Sequence, residues 1–293
     1  MASDFQNQVV QWFPGHMAKT RRKIKESLPL VDAVTEIVDA RVPVSSHNPE
    51  ISDIISGKPR IVILNKCDVA DENATKKWIQ YFKSQGVSAI AADCKSGKGL
   101  NLYRPLIKEV LADKIKSYEE KNMQGRALRV MVVGIPNTGK SSFINRMAGK
   151  KRAEVADRPG VTRHNQWFVI GDGIELLDTP GVLWPKFEDP AVGDKLAFIG
   201  SVKDDILDVE SLAVRFLEVM KKDYPERLTE RYKITGFEDA EPYEILEMIG
   251  RKRGMLISGG EINTERAATT ILDEYRAGKL GKITLDSIPQ GDL

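Results

Sequence analysis

Two short clusters carry most of the chemistry in this chain. Gly134-Ile-Pro-Asn-Thr-Gly-Lys140-Ser141 fits G-x-x-x-x-G-K-S. It follows an apolar run, Leu128-Arg-Val-Met-Val-Val133, and leads into the amphipathic stretch Ser142-Phe-Ile-Asn-Arg-Met147, the strand–loop–helix setting of a phosphate cradle. Gly134 and Gly139 let the backbone turn tightly, so that successive N–H groups, those of Asn137, Thr138, Gly139 and Ser142 included, face phosphate oxygens at a helix N-terminus. Lys140 is then placed to bridge the β and γ phosphates, and the Ser141 hydroxyl to bind Mg²⁺. The second cluster is Asn65-Lys66-Cys67-Asp68, at the end of the run Arg60-Ile-Val-Ile-Leu64. A carboxylate at 68 accepts from guanine N1–H and the exocyclic amine, a pairing adenine cannot make, while the Lys66 stem covers the base plane.

Three further signals complete the set. Leu176-Leu-Asp178-Thr-Pro-Gly181 fits D-x-x-G, with Asp178 holding the metal through water and the Gly181 N–H facing the γ phosphate. Between it and the phosphate loop, Arg158-Pro-Gly-Val-Thr162 offers a threonine able to close over metal and phosphate, so Thr162 joins Ser141 as a Mg²⁺ ligand. Asp93-Cys94-Lys95 stands where many GTP-binding proteins carry Ser-Ala-Lys, so the Cys94 N–H is expected at guanine O6, without the serine's side-chain support. Val182 follows Gly181, and the glutamine that often orients the attacking water is absent.

The elements that must position these groups are legible as short β-branched runs alternating with helical stretches, the pattern of a mostly parallel sheet covered by helices. Six strands are expected at 34–39, 60–65, 87–91, 128–133, 165–170 and 174–178, with Gly171-Asp-Gly173 turning the last two into a hairpin. Helices are expected near 73–85, 99–118 and 140–148. After Pro190 only helical periodicity remains, over 191–200, 205–221, 225–231, 240–250 and 264–278. The order of motifs is guanine recognition first, phosphate loop second, D-x-x-G last, which is the usual order cut and rejoined. The fold expected is α/β: a circularly permuted P-loop GTPase domain with a mostly parallel six-stranded sheet over 1–187, followed by a small all-helical domain over 188–293. The cut places the D-x-x-G switch directly before the helical tail.

Bulk properties set bounds. The 293 residues suit one large and one small domain, and 29% charged with 41% apolar residues is ordinary for a globular chain. No apolar run approaches the roughly 18 residues that would span a bilayer, and Met1-Ala2-Ser3-Asp4 lacks the features of a leader, so a cytoplasmic protein without a membrane partner is expected. Two cysteines, Cys67 and Cys94, are too few for a disulfide scaffold. The formal charge of +2 averages a basic front part and an acidic tail. Clusters such as Lys19-Thr-Arg-Arg-Lys-Ile-Lys25, Lys150-Lys-Arg152 and Arg251-Lys-Arg253 are either local phosphate contacts or solvated helix faces.

With Trp12-Phe-Pro-Gly-His16-Met, Asp39-Ala-Arg41-Val-Pro43 and Asn48-Pro49 added to these motifs, the chain resembles the YlqF (RbgA) family of ribosome-assembly GTPases. The resemblance implies a GTP/GDP cycle that regulates late assembly of the large (50S) ribosomal subunit, with rRNA and ribosomal proteins of the particle as partners and the helical domain as an RNA-binding module. It points to His16 as the catalytic residue that accepts a proton from water or orients it. In similar GTPases an asparagine at the position of Asn137 helps bind K⁺, a second source of transition-state charge; Arg41 is a rival source, or else a structural partner of Asp39. A monomer is expected in solution. Two other readings stay open: a nucleotide-holding RNA- or protein-binding adaptor with little turnover, favoured by the missing glutamine, and a GTPase acting in tRNA modification.

Overall fold

The computed structural model describes residues 16–149 except 56 and 124, 166–181, 183, 189–202 and 207–289; the side chains of 16–19 and 52 are outside that description. The chain forms two compact units, one of residues 13–185 with 284–293, the other built on 186–283. Residues 284–289 therefore belong with the sheet, whereas a division at 187/188 groups them with the helices.

In the first unit the basic helix α1 (His16–Ser27) leads into β1 (Ala33–Asp39). It is followed by α2 (Pro49–Ile54), β2 (Arg60–Asn65), α3 (Glu72–Ser84), β3 (Ser88–Ala92), α4 (Tyr103–Val110) and α5 (Ala112–Glu120). Then come β4 (Leu128–Val133), α6 (Lys140–Ala148), β5 (Gln166–Gly171) and β6 (Ile174–Asp178). The sheet order is β3-β2-β1-β4-β6-β5, with every pairing parallel except the β5–β6 hairpin. All six strands fall within a residue of expectation; the inner ones, buried on both faces, read as near-continuous apolar runs, while the edge strands β3 and β5 are only partly buried. β1 is buried along its whole length, and each fully buried Val, Ile or Leu there contributes roughly 1.5–3 kcal/mol.

The expected single helix at 99–118 is divided. Gly99, at φ 83°, opens a 3-10 turn over Leu100–Leu102, and Leu111 (φ −105°, ψ 20°) interrupts the regular run between α4 and α5. Leu111 is itself buried, so the kink keeps the apolar stripes of both helices on the sheet. Helix α2 was not among the expected elements, yet its signal is present: Asn48 caps it by accepting from the Glu50 N–H, and Pro49 takes the first turn.

The second unit contains α7 (Pro190–Phe198), α8 (Val209–Asp223), α9 (Pro225–Tyr232), α10 (Pro242–Lys252) and α11 (Thr264–Arg276). Asp189, Asp208 and Asn263 accept from the first-turn N–H groups of α7, α8 and α11. Phe216 of α8 lies at the centre, 5.1 Å from the Phe198 ring and 4.8 Å from the Tyr275 ring. Arg276 donates to the carbonyls of Phe198 and Ala197, joining α11 to α7. Of the tail's basic cluster, Arg253 is committed to Tyr232 and Glu274, while Arg251 and Lys252 are exposed. No helix among the described residues is long and apolar enough to cross a membrane.

Candidate guanine-nucleotide site

The two chemical clusters lie at the C-terminal ends of β4 and β2, parallel strands on either side of β1, where open α/β sheets bind ligands. β4 ends in the phosphate loop, and β1 and β2 beside it end in Asp39 and Asn65. Asn65, nine-tenths or more buried, ties three loops together: its Nδ2 donates to the Thr138 carbonyl at 2.6 Å, and its Oδ1 accepts from the Cys94 N–H at 2.9 Å. A Cβ on Gly139 (φ 98°) would stand 2.1 Å from Asn65 Nδ2, so glycine is required there by both space and conformation. Gly134 is equally confined, since a Cβ would meet the Ile37 carbonyl oxygen at 2.7 Å.

On the phosphate side, Lys140 opens α6 and its Nζ donates to Asp178 Oδ1 at 2.6 Å. Thr138 is buried and its hydroxyl donates to the Ile135 carbonyl, while Asn137 is exposed with φ 62°. Ser141 and Ser142 are exposed at the helix start. Thr179 donates to the Val132 carbonyl at 2.6 Å, fixing the D-x-x-G turn to β4, and Gly181 lies against Pro136 so closely that a Cβ would meet its nitrogen at 3.1 Å. Thus Asn65, Asn137, Thr138, Gly139, Lys140, Ser141, Ser142, Asp178 and Gly181 converge on one rim. Thr162 falls outside the described residues. His16 is the first residue of α1, and its side chain is outside the described residues too.

On the base side, Asp68 is exposed next to Lys66, whose backbone holds the left-handed conformation at φ 60°. Lys66 Nζ pairs with Asp39 Oδ2 at 2.9 Å. Asp39 also accepts from Arg41, through the backbone N–H, Nε and a second guanidinium nitrogen at 2.8 Å. Burial by itself would raise the Asp39 pKa, but Arg41 and Lys66 outweigh it and hold the carboxyl well below the usual range. Arg41 is 1% exposed and spent on this pair, which removes it as a source of charge at the phosphates. Asp93 accepts from the Lys95 and Ser96 N–H groups, so a carboxylate closes the turn where a serine is more usual. Burial pushes the Cys94 thiol up to about 12, and burial with Asp68 raises Cys67, so both thiols are protonated and inert at neutral pH. His47 is committed to Glu36 and its neighbour Arg60, in a charge cluster one register behind the site.

Two contributions escape a reading of motifs alone. Asp39 as the partner of Lys66 is one. The other is the segment 284–289, whose bonds to the 39–46 loop connect residues more than 200 positions apart. Oxygen donors at the rim, the Ser141 hydroxyl and the Asp178 carboxylate, suit a hard hydrated ion. Among the described residues no group of three His, Cys, Asp or Glu side chains could hold a metal by itself.

Sheet order, phosphate loop on the central strand and base-reading motif on strands that precede it define a circularly permuted P-loop GTPase. The profile of a family described as "50S ribosome-binding GTPase" matches residues 129–244. "Ribosome biogenesis GTPase A" of Bacillus cereus is 48% identical, over 95% of this chain and 94% of that protein. Among solved structures, a GDP-bound YlqF is 31% identical with a TM-score of 0.66, covering 90% of this chain and 98% of the other. A GNP-bound YlqF from T. maritima aligns with a TM-score of 0.65 and 31% identity over 92% and 97%. The chain belongs to the ribosome biogenesis GTPase A (YlqF/RbgA) family.

Proposed function

We propose that this GTPase hydrolyses GTP to GDP and phosphate to time a late step in assembly of the large ribosomal subunit, binding the precursor particle in its GTP state and leaving after hydrolysis. The observation that carries this reading is the junction made by Asn65, which joins the base-recognition, phosphate and Cys94 loops into one rim facing Lys140 and Asp178. Relatives named for ribosome biogenesis supply the process. In this reading Asp68 selects guanine and Lys140 leaves Asp178 for the β and γ phosphates; Ser141 and Thr162, with Asp178, would hold a Mg²⁺ ion. The ion supplies charge to the phosphate oxygens. His16 orients the attacking water or accepts its proton in place of the absent glutamine, and Asn137 would hold K⁺, which would supply further positive charge to the phosphates. The helical unit meets rRNA through a confined basic patch at Arg251 and Lys252, because an acidic-leaning domain repels a broad phosphate surface. The protein acts in the cytoplasm as a monomer.

Sedimentation of the protein with large-subunit precursor particles tests the reading. Co-sedimentation is expected with a non-hydrolysable GTP analogue and not with GDP, together with particle-stimulated phosphate release. Binding that ignores the nucleotide, with no gain in turnover, would sink it. Turnover in K⁺ is expected to exceed that in Na⁺; equal rates would remove Asn137 from the cation's site.

A further inference from the structure

The chain leaves the helical unit at Ile283 and its next residues bond to the sheet unit at the back of the base-recognition loop. The Leu285 N–H donates to the Arg41 carbonyl at 2.7 Å. Thr284 Oγ1 accepts from the Asp71 N–H at 3.1 Å, and Asp71 is the residue that caps α3. Asp286, itself 8% exposed, accepts from the Val44 N–H at 2.9 Å, the Ser45 N–H at 2.8 Å and the Ser45 hydroxyl at 2.7 Å. Ile288 packs on the apolar cluster of Val38, Leu64 and Trp78. A cavity of about 540 Å³, lined in part by Lys77, Trp78, Asp286 and Ile288, lies beside the segment, so it is held by these bonds and one apolar anchor rather than by continuous packing.

These contacts form a strap across the ends of β1 and β2. The loop it clamps, 40–46, directly follows Asp39 at the end of β1, and Asp39 is the ion partner of Lys66. Lys66 adopts a left-handed backbone that a non-glycine residue keeps only where its surroundings over-determine it. The order of support therefore runs from Asp286, through the Val44 and Ser45 amides, to the adjoining Ser46, whose hydroxyl accepts from the Asp39 N–H at 2.9 Å, and so to Asp39 and Lys66 beside Asp68. We infer that the C-terminal strap is a positioning element for guanine recognition, with Asp286 its anchoring residue. The inference rests on the GTPase reading above.

Stopped-flow release of a fluorescent GDP analogue from the full chain tests this. Asp286→Ala is expected to release the analogue about tenfold faster, with kcat at saturating GTP within about twofold of wild type, because the substitution deletes charge-assisted bonds behind the base and none at the phosphates. Asp286→Asn, which keeps one acceptor oxygen, is expected to fall between the two. Release at the wild-type rate from Asp286→Ala, or a fall in kcat that parallels the change in release, would overturn the inference. Should Asp286→Ala not fold, Ser45→Ala removes only the hydroxyl contact, with a rise of about threefold expected and an unchanged rate counting against the strap. A wild-type chain that binds no guanine nucleotide would overturn both readings; one that binds while every variant matches it would overturn the strap alone.

Discussion

The base corner and the phosphate corner of the site are built differently. At the base corner the polar groups that support the exposed Asp68 are buried or half-buried and already bonded to one another: Asn65 to Thr138 and Cys94, Asp39 to Arg41 and Lys66, and the strap to the loop behind them. At the phosphate corner Ser141, Ser142 and Asn137 stand exposed, and Lys140 is ion-paired with Asp178. A preorganised base pocket spends no binding energy on reordering itself, so selectivity is present before the nucleotide arrives. The phosphate corner instead holds its lysine on an internal carboxylate, a pair that under the proposed function a triphosphate has to displace.

The sharpest way to break this contrast is at its two poles. Asp68→Asn replaces the carboxylate acceptor by an amide that presents a donor to guanine's own donors, and GTP affinity is expected to drop by about a thousandfold while xanthosine triphosphate gains. Competition binding with the two nucleotides reads this directly, and equal losses for both would mean that Asp68 does not read the base. Lys140→Ala is expected to lower turnover by about a hundredfold or more, yet to leave thermal stability nearly unchanged, since Lys140 and Asp178 remain partly hydrated. A large fall in Tm would show instead that the phosphate corner is as cross-tied as the base corner.

Arg41→Ala attacks the buried ion cluster. It strips Asp39 of its main partner at full burial and is expected to cost about 3–5 kcal/mol, measured by denaturant titration. The pH dependence follows from the depressed Asp39 pKa. A carboxyl that titrates lower in the fold than in the unfolded chain stabilises at pH above about 4 and loses that contribution as the pH falls through the acid range. With Arg41 gone the folded pKa rises toward the unfolded value, so the variant's stability is expected to vary less with pH below that point. An acid-unfolding profile parallel to wild type would show that Lys66 alone holds Asp39 in its charged form.

How much of this was legible depended on distance along the chain. The strands, the phosphate loop and the D-x-x-G turn are local patterns, apolar runs closed by glycines, and they lie where the sequence puts them. The kink at Leu111 was not legible, because Leu continues any helical pattern and only its backbone angles mark the break. The strap was invisible for another reason. Thr284-Leu-Asp-Ser-Ile288 has neither helical nor strand periodicity, and its partners are more than 200 residues earlier. Asp39-Ala-Arg41 could be noticed as a motif, but that its carboxylate serves Lys66 follows only from β1 and β2 being parallel neighbours in register Asp39 to Asn65. Local chemistry showed the ligand; topology was needed to show what holds the groups that read it.

The smallest expected effect tests where the preorganised corner ends. Asp93 accepts from the Lys95 and Ser96 amides at a partly solvated turn, and its pKa is lowered because the bonds from Ser96 and Lys95 outweigh the cost of burial. Both amides lie in exposed residues, so water can replace the carboxylate at little cost. Asp93→Ala should therefore cost about 1 kcal/mol or less, seen as a severalfold rise in KM for GTP with kcat unchanged. A loss as large as that of Arg41→Ala would extend the rigid corner out to the rim of the Cys94 loop. An unchanged KM would confine it to Asn65, Asp39 and Lys66, the three side chains that fasten neighbouring loops to one another.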